Sequence, residues 1–183
     1  MGKSTVSEHL AGEGENVIDT DALARDLVAP GQPALEEIRG EFGGEVVHSD
    51  GTLNRAALAS VVFNDPKQRS RLESILHPRI RAAWLAQARE WRARGEKRGV
   101  VVIPLLFETG AEKEFGLTIC VACSEGTQAV RLQERGWGER EIKNRLAAQR
   151  PAAEKMERAD RVIWNESSVE ICQAQAGRIF ARL

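Results

Sequence analysis

Short apolar runs alternate along this chain with long stretches in which apolar and polar residues recur at helical spacing. Runs at residues 16–19, 99–104 and 117–122 predict strands buried on both faces, and a shorter run at 161–164 predicts a fourth strand. The stretches 66–94 and 125–156 are rich in Ala, Leu, Glu and Arg and predict helices. Strands that alternate with helices indicate an α/β fold with a parallel sheet.

No strong strand pattern lies between about residues 31 and 95. Turn-forming residues punctuate the first part of this stretch, at positions 30–33, 43–44 and 49–52. None of these turns resembles a flexible interdomain linker. Because the stretch lacks a strong strand, we expect a helical lobe inserted between the strands at 16–19 and 99–104 and docked on the sheet domain.

The composition is that of a globular protein, since 42% of the 183 residues are hydrophobic and 29% are charged. With a net charge of −1, the chain as a whole does not have the basic character that favours nucleic-acid binding. We therefore expect small-molecule partners and no nucleic acid. The sequence has no run of about 18 apolar residues and no signal pattern at its start. We therefore expect no membrane partner and a cytoplasmic location.

Three sparse cysteines argue against a disulfide framework and fit a reducing compartment. Cys120 and Cys123 have the spacing of a zinc-binding pair, but they lie in a predicted buried strand and no second Cys/His pair accompanies them. Small buried residues are the favoured interpretation, with a zinc site as the alternative.

The chain opens on Gly2-Lys3-Ser4-Thr5, which matches the last four residues of the phosphate-binding loop G-x-x-x-x-G-K-[ST]. In that motif Lys and Ser/Thr reach the phosphates and Mg²⁺. A helix that opens after this motif points its first N–H groups at an anion. A chance match is the alternative, and the local context favours a phosphate site.

Asp19 and Asp21 stand at the end of the first predicted strand. The carboxyl ends of parallel strands form the ligand-binding edge of an open α/β sheet. One of these acids would accept the proton of an attacking hydroxyl, and the other would hold Mg²⁺ through water. The alternative, equally weighted, is that Asp21 caps a helix over residues 22–25.

Two further patterns have both a functional and a structural interpretation. Leu105 and Phe107 follow a predicted strand and would wall a substrate pocket, although core packing is favoured locally. Arg131 and Arg135 share a helix face and would form a lid over phosphate, although interleaved acids favour a solvated face. The basic residues that continue this pattern are Arg140, Lys143, Arg145 and Arg150.

His77 precedes Pro78, which biases it out of helical geometry and predicts a helix boundary or kink. No acid or cysteine pairs with His77 in the sequence pattern. His9 and His48 show no pairing either, and we expect them at the surface.

In this order, the motifs resemble the dephospho-CoA kinase family over essentially the whole chain. The stretches that carry the resemblance are 2–5, 16–21, 50–55, 72–78, 104–108, 128–135 and 159–165. The resemblance implies a three-layer P-loop kinase core with a parallel sheet, at residues 1–30 and 96–183, whose helical lid spans about 125–150. It also implies a helical substrate-binding lobe at residues 31–95.

The activity that the resemblance implies is transfer of the γ-phosphoryl group of ATP to the ribose 3′-hydroxyl of dephospho-CoA, with Mg²⁺ as cofactor. The alternatives are another small-metabolite kinase or a non-catalytic remnant that binds CoA. ATP and dephospho-CoA are the implied partners, and the sequence assigns no oligomeric state.

The resemblance also assigns site residues by position. Lys3 would touch the β- and γ-phosphates beside Gly2, Ser4 would ligate Mg²⁺, and Thr5 would donate to the α-phosphate. The remaining assignments are Asp21 as the base, Asp19 as its assistant, Arg131 as the lid arginine, Asn165 at the adenine, and His77, Arg81, Leu105 and Phe107 at the acceptor pocket.

Three departures from the family pattern stand out. Thr20 replaces the usual Ala between the two acids, and Glu166 stands where a glycine often follows Asn165. Similar kinases have roughly ten more residues before Gly2, which supply a central strand and the front of the phosphate loop. We therefore expect that the natural protein begins upstream of Met1.

Overall fold

The computed structural model describes residues 1–139, 142–143, 146 and 149–183, and it confirms an α/β fold. The helices, in chain order, are α1 Lys3–Gly12, α2 Thr20–Leu27, α3 Pro33–Phe42, α4 Arg55–Asn64, α5 Pro66–Ala93, α6 Glu125–Glu134, α7 Ala152–Arg158 and α8 Val169–Phe180. The strands are β1 Val17–Asp19, β2 Val100–Val102, β3 Ile119–Ala122 and β4 Arg161–Trp164.

All four predicted strands are present, and each is three or four residues long. They form two pairs, β1 with β2 and β3 with β4. The β3–β4 pair is parallel, with Ile119 opposite Arg161 and Ala122 opposite Trp164. The predicted parallel pairing is therefore confirmed for these two strands.

The chain divides into two compact units. The first contains residues 1–17 and 102–183, and the second contains residues 18–101. In the first unit, α1 packs against α8, and α7 and α8 lie against the β3–β4 pair. Its core is formed by apolar side chains from α1, β3, β4 and α8, among them Val6, Leu10, Ala122, Ile163, Cys172, Ala176 and Phe180.

The second unit is mainly helical, and α5 packs against α2, α3 and α4. Its core cluster consists of Val28, Ala34, Ile38, Val46, Leu58, Val62 and Ile75. A single antiparallel bridge joins Val47 to Leu53. The turn inside this bridge is held by Asp50, whose carboxylate accepts hydrogen bonds from the backbone N–H and the hydroxyl of Thr52.

The long helix α5 runs without interruption through Pro78, so the expectation of a helix boundary at His77 is wrong. Pro78 has no N–H and removes one helical hydrogen bond, but packing can outweigh a local preference of this size. Next to the proline, the guanidinium of Arg79 donates to the carbonyl of Ile75 at 2.7 Å. This bond lies next to the carbonyl of Ser74, which is the one that Pro78 leaves without its helical donor.

The predicted helical stretch 125–156 contains α6 and α7 as separate helices. α6 is followed by Gly136, whose positive φ of 82° directs the chain out of the helix. Of the basic residues predicted for a lid, Arg140 and Arg145 lie outside the described residues. None of the helices in the described part of the chain combines the length and apolar character needed to cross a membrane.

Candidate active site

Helix α1 begins at Lys3, directly after Gly2, which adopts a left-handed conformation with a φ of 94°. The opening turn therefore carries Lys3, Ser4 and Thr5, the residues that the sequence assigns to phosphate and Mg²⁺. The N–H groups of an opening turn have no partner within the helix and attract anions. Ser4 is exposed, and its carbonyl accepts a hydrogen bond from the hydroxyl of Ser7 at 3.0 Å.

Gly2 lies directly against the side chain of Asn165. A Cβ atom at position 2 would stand 1.8 Å from Asn165 Nδ2, so only glycine fits this position. Asn165 is only 5% exposed, and its Nδ2 donates to the carbonyl of Met1 at 3.1 Å. Its backbone N–H donates to the carbonyl of Ala122 at 2.7 Å. Asn165 thereby ties the end of β4 to the turn that opens α1.

Arg131 reaches the same place from α6. Its Nη1 atom donates to the backbone carbonyl of Asn165 at 2.9 Å. The structure thus brings together Gly2, Arg131 and Asn165, three predicted site residues that are far apart in the sequence. A half-buried guanidinium beside the opening turn of α1 adds positive charge to an end of the helix that already favours anions.

Glu166, noted in the sequence only as a departure, makes three hydrogen bonds to the start of α6. One carboxylate oxygen accepts the backbone N–H of Ser124 at 2.7 Å, and the other accepts the hydroxyls of Ser124 at 2.7 Å and Thr127 at 2.5 Å. The Ser124 hydroxyl contributes most, followed by that of Thr127, to a pKa of Glu166 that is lowered to about 2. The carboxylate is therefore ionised at neutral pH.

The segment after β2 places Leu105 and Phe107 differently. Leu105 is half-buried, whereas Phe107 is 7% exposed. The guanidinium of Arg158 stands 4.8 Å from the centre of the Phe107 ring and donates to Glu112 Oε1 at 2.6 Å. Phe107 is therefore a packed side chain beneath a cation.

A buried ion pair lies in the same segment, and sequence reasoning missed it. Lys155, which is 5% exposed, places Nζ 2.9 Å from Glu108 Oε1 and 3.1 Å from Gln149 Oε1. Glu108 also accepts the backbone N–H of Arg150 at 2.8 Å. Burial by itself raises the pKa of Glu108, but these hydrogen bonds outweigh burial, and the pKa lies below its usual value.

In the second unit, Asp19 and Asp21 stand where β1 ends and α2 begins. Asp19 caps α2, since its side-chain oxygen accepts the backbone N–H of Asp21 at 2.8 Å. The alternative that Asp21 caps a helix beginning at residue 22 is wrong, because α2 already begins at Thr20. Asp21 is exposed on the first turn of α2.

His77 and Arg81 lie one turn apart on α5 and therefore on the same face of that helix. His77 is half-buried and Arg81 is exposed. Both belong to the second unit.

The described residues include no group of three or more His, Cys, Asp and Glu side chains that would hold a metal ion. Mg²⁺ needs no such cluster, since it binds through one or two protein oxygens, substrate phosphates and water. The exposed hydroxyl of Ser4 on the opening turn of α1 fits this requirement. Cys120 and Cys123 are both buried, as the interpretation of small buried residues expects.

Comparison with known proteins identifies relatives over the full chain. A protein from Corynebacterium efficiens named dephospho-CoA kinase is 41% identical over 183 residues, which cover 100% of this chain and 92% of the relative. The protein of the same name from Anaeromyxobacter dehalogenans is 43% identical and is covered over 87% of its length.

Solved structures give the same result. The crystal structure of TT1252 from Thermus thermophilus has a TM-score of 0.79 and 34% identity, and the match covers 100% of this chain and 92% of that one. Dephospho-CoA kinase from Campylobacter jejuni has a TM-score of 0.72 and 28% identity, with 99% and 90% covered. The family model for dephospho-CoA kinase matches residues 1–170. The chain therefore belongs to the dephospho-CoA kinase family, the phosphotransferases that use ATP in the final step of coenzyme A biosynthesis.

Proposed function

We propose that the opening turn of α1 binds the phosphates of ATP in this protein's dephospho-CoA kinase reaction. The observation that carries the proposal is the left-handed Gly2 directly before a helix whose first residues are Lys3, Ser4 and Thr5. Lys3 neutralises the β- and γ-phosphates, and Thr5 donates to the α-phosphate. Ser4 is the protein ligand of Mg²⁺, which when bound offsets negative charge on the phosphates.

Asn165 is proposed to recognise the adenine of ATP. Its Nδ2 atom is bonded to the Met1 carbonyl, and its carboxamide oxygen is an acceptor of the kind that the adenine amino group needs. Asn165 then serves two roles, since it also packs against Gly2.

The chemical step uses one carboxylate and one guanidinium. The 3′-oxygen of dephospho-CoA attacks the γ-phosphorus as the bond to the β–γ bridging oxygen breaks, and ADP leaves with the bonding electrons. The 3′-hydroxyl proton passes to Asp21, which Asp19 assists. Arg131 neutralises negative charge that develops on the phosphoryl oxygens.

Acceptor binding is assigned to His77, Arg81, Leu105 and Phe107, with Phe107 supporting the pocket wall from its buried position. The lobe that holds dephospho-CoA spans residues 31–95, the lid spans about 125–150, and residues 1–30 and 96–183 form the kinase core. The helices α3, α4 and α5, which share one apolar core, support the assignment of the lobe.

The cytoplasm is the proposed location. Cys120, Cys123 and Cys172 are all free, which fits a compartment that keeps thiols reduced.

The test combines a substrate comparison with a matched pair of lysine variants. Purified protein receives ATP and Mg²⁺ with either dephospho-CoA or adenosine, and CoA and ADP are quantified by mass spectrometry. We expect CoA to form, and Lys3→Met to lower kcat/KM by about 100-fold because it removes a cation from the transferred phosphates.

Lys67→Met is the control, since Lys67 is an exposed lysine on the opening turn of α5 with no assigned role. Faster phosphorylation of adenosine than of dephospho-CoA would overturn the acceptor assignment. Equal kinetics in the two lysine variants would overturn the role of Lys3.

A further inference from the structure

We infer that Glu166 is a positioning residue for phosphoryl transfer, which fixes the opening turn of α6 so that Arg131 stays beside Asn165 and the turn that opens α1. The inference rests on the proposed role of Arg131 at the transferred phosphoryl group.

The contacts of Glu166 are concentrated on one helix end. Both of its carboxylate oxygens are used, and all three donors belong to Ser124 and Thr127. Ser124 is also the N-cap of α6, and its hydroxyl accepts the backbone N–H of Thr127 at 3.2 Å. The carboxylate therefore extends an ordinary serine cap and fixes its orientation.

The preceding residue holds the same helix one turn later. The carbonyl of Asn165 accepts from Arg131, which is four residues after Thr127 and so lies on the same face of α6. Two consecutive residues after β4 thus hold one face of α6 at two points. Since the Asn165 side chain also bonds to the Met1 carbonyl, a continuous chain of contacts joins the start of α6 to the start of α1.

The charge of a carboxylate suits this position. It accepts charge-assisted hydrogen bonds, which are stronger than neutral ones. Its negative charge also faces the N-terminus of a ten-residue helix and is attracted by Arg131. Its lowered pKa keeps it ionised over the whole range in which enzymes are assayed.

A purely structural role for Glu166 predicts a loss of stability without a specific loss of turnover. The two roles are separated by measuring kcat, the KM values of both substrates and the melting temperature in Glu166→Ala and Glu166→Gln. We expect Glu166→Ala to lower kcat about tenfold while the KM of dephospho-CoA changes by less than about twofold, with Glu166→Gln intermediate.

Glu170→Gln is the matched control. Glu170 is an exposed acid on the opening turn of α8, and the hydroxyl of Ser168 lowers its pKa by a hydrogen bond. Its hydrogen-bond partner Ser168 is the N-cap of its own helix, so we expect wild-type kcat. A lower melting temperature with unchanged kcat in Glu166→Ala overturns the inference.

A double variant tests whether Glu166 acts through the arginine. In an Arg131→Ala background, Glu166→Ala should have no further effect on kcat, because the group that it positions is gone. Independent, multiplicative effects of the two substitutions overturn the inference.

Hydrogen–deuterium exchange measures the positioning without turnover. In Glu166→Ala, the backbone amides of residues 124–131 should exchange about tenfold faster than in the wild type, and Glu170→Gln should leave them unchanged. Unchanged exchange in Glu166→Ala overturns the inference. If the wild type makes no CoA and Glu166→Ala still exchanges faster than the wild type, only the proposed function is overturned.

Discussion

At the scale of single residues, the structure constrains Gly2 in two ways. It combines a left-handed backbone with a neighbour that fills the space of a side chain. Gly2→Ala should strain the backbone by about 1–2 kcal/mol and displace Asn165 from the Met1 carbonyl. We expect kcat/KM for ATP to fall by about tenfold or more, as measured by steady-state kinetics.

Gly14→Ala is the control for this prediction. Gly14 has a similar φ of 87°, but a Cβ there would meet nothing within 4 Å. Gly14→Ala should therefore lower stability without changing kcat/KM for ATP. If both variants lose activity equally, backbone strain alone explains the effect, and the contact with Asn165 has no role in it.

The site residues that the sequence allows us to predict are those that belong to a local motif. Lys3 and Ser4 follow a glycine in a recognisable order, and Asp19 is the last residue of a strand pattern. The burial of Lys155 could not be predicted from the sequence, because a lysine among charged residues is expected at the surface. Its burial depends on Glu108, a partner distant in sequence, and only the folded chain brings the two together.

At the scale of elements, the Lys155–Glu108 pair joins α7 to the segment that follows β2. Both side chains are largely buried, at 7% and 16% exposed. Lys155→Met leaves the Glu108 carboxylate buried without its cation, and it should lower the free energy of unfolding by about 3 kcal/mol. Urea denaturation at neutral pH measures this difference.

Two further variants decide whether charge burial is the cause. Replacing both partners, in Lys155→Met with Glu108→Leu, should recover most of the lost stability, because no unpaired charge remains. Arg71→Met removes a cation from an exposed pair with Glu41 and should change stability by less than about 1 kcal/mol. A double variant no more stable than Lys155→Met would contradict the explanation.

The elements themselves were largely predictable, because strands and helices follow from apolar spacing. The strand at Arg161–Trp164 was placed at its observed bounds, and α5 ends one residue before its predicted end. The prediction of a helix boundary at His77, before Pro78, was wrong for a physical reason. The proline rule describes a local preference, whereas α5 is held by its packing against three other helices.

At the scale of the whole molecule, acidic side chains in the first unit join segments that are distant in sequence. Asp160, which precedes β4, accepts the backbone N–H and the hydroxyl of Thr118, both at 2.7 Å. Glu166 accepts the backbone N–H of Ser124 at the start of α6, and Glu108 forms an ion pair with Lys155 of α7. The pKa values of all three carboxyls lie below their ordinary values, so each stabilises the folded chain in its ionised form.

This arrangement predicts a specific loss of stability in acid. A group whose pKa is lower in the folded state contributes stability above its unfolded pKa and loses it as the pH falls through its folded pKa. For Glu166 that window runs from 4.5 down to about 2. The free energy of unfolding of the wild type should therefore decrease steadily over this range, as measured by urea denaturation at a series of pH values.

The contribution of Glu166 is isolated by comparing the wild type with Glu166→Gln and with Ser124→Ala. Glu166→Gln cannot titrate, so the stability that the wild type gains over it at pH 6 should shrink as the pH falls and nearly vanish at about pH 2. Ser124→Ala removes the hydroxyl that lowers this pKa most, so its stability should vary less with pH between 4.5 and 2. Parallel curves for the wild type and Glu166→Gln would show that the bonds to Ser124 and Thr127 do not depend on the charge of Glu166. Glu166 would then stabilise the start of α6 through neutral hydrogen bonds alone.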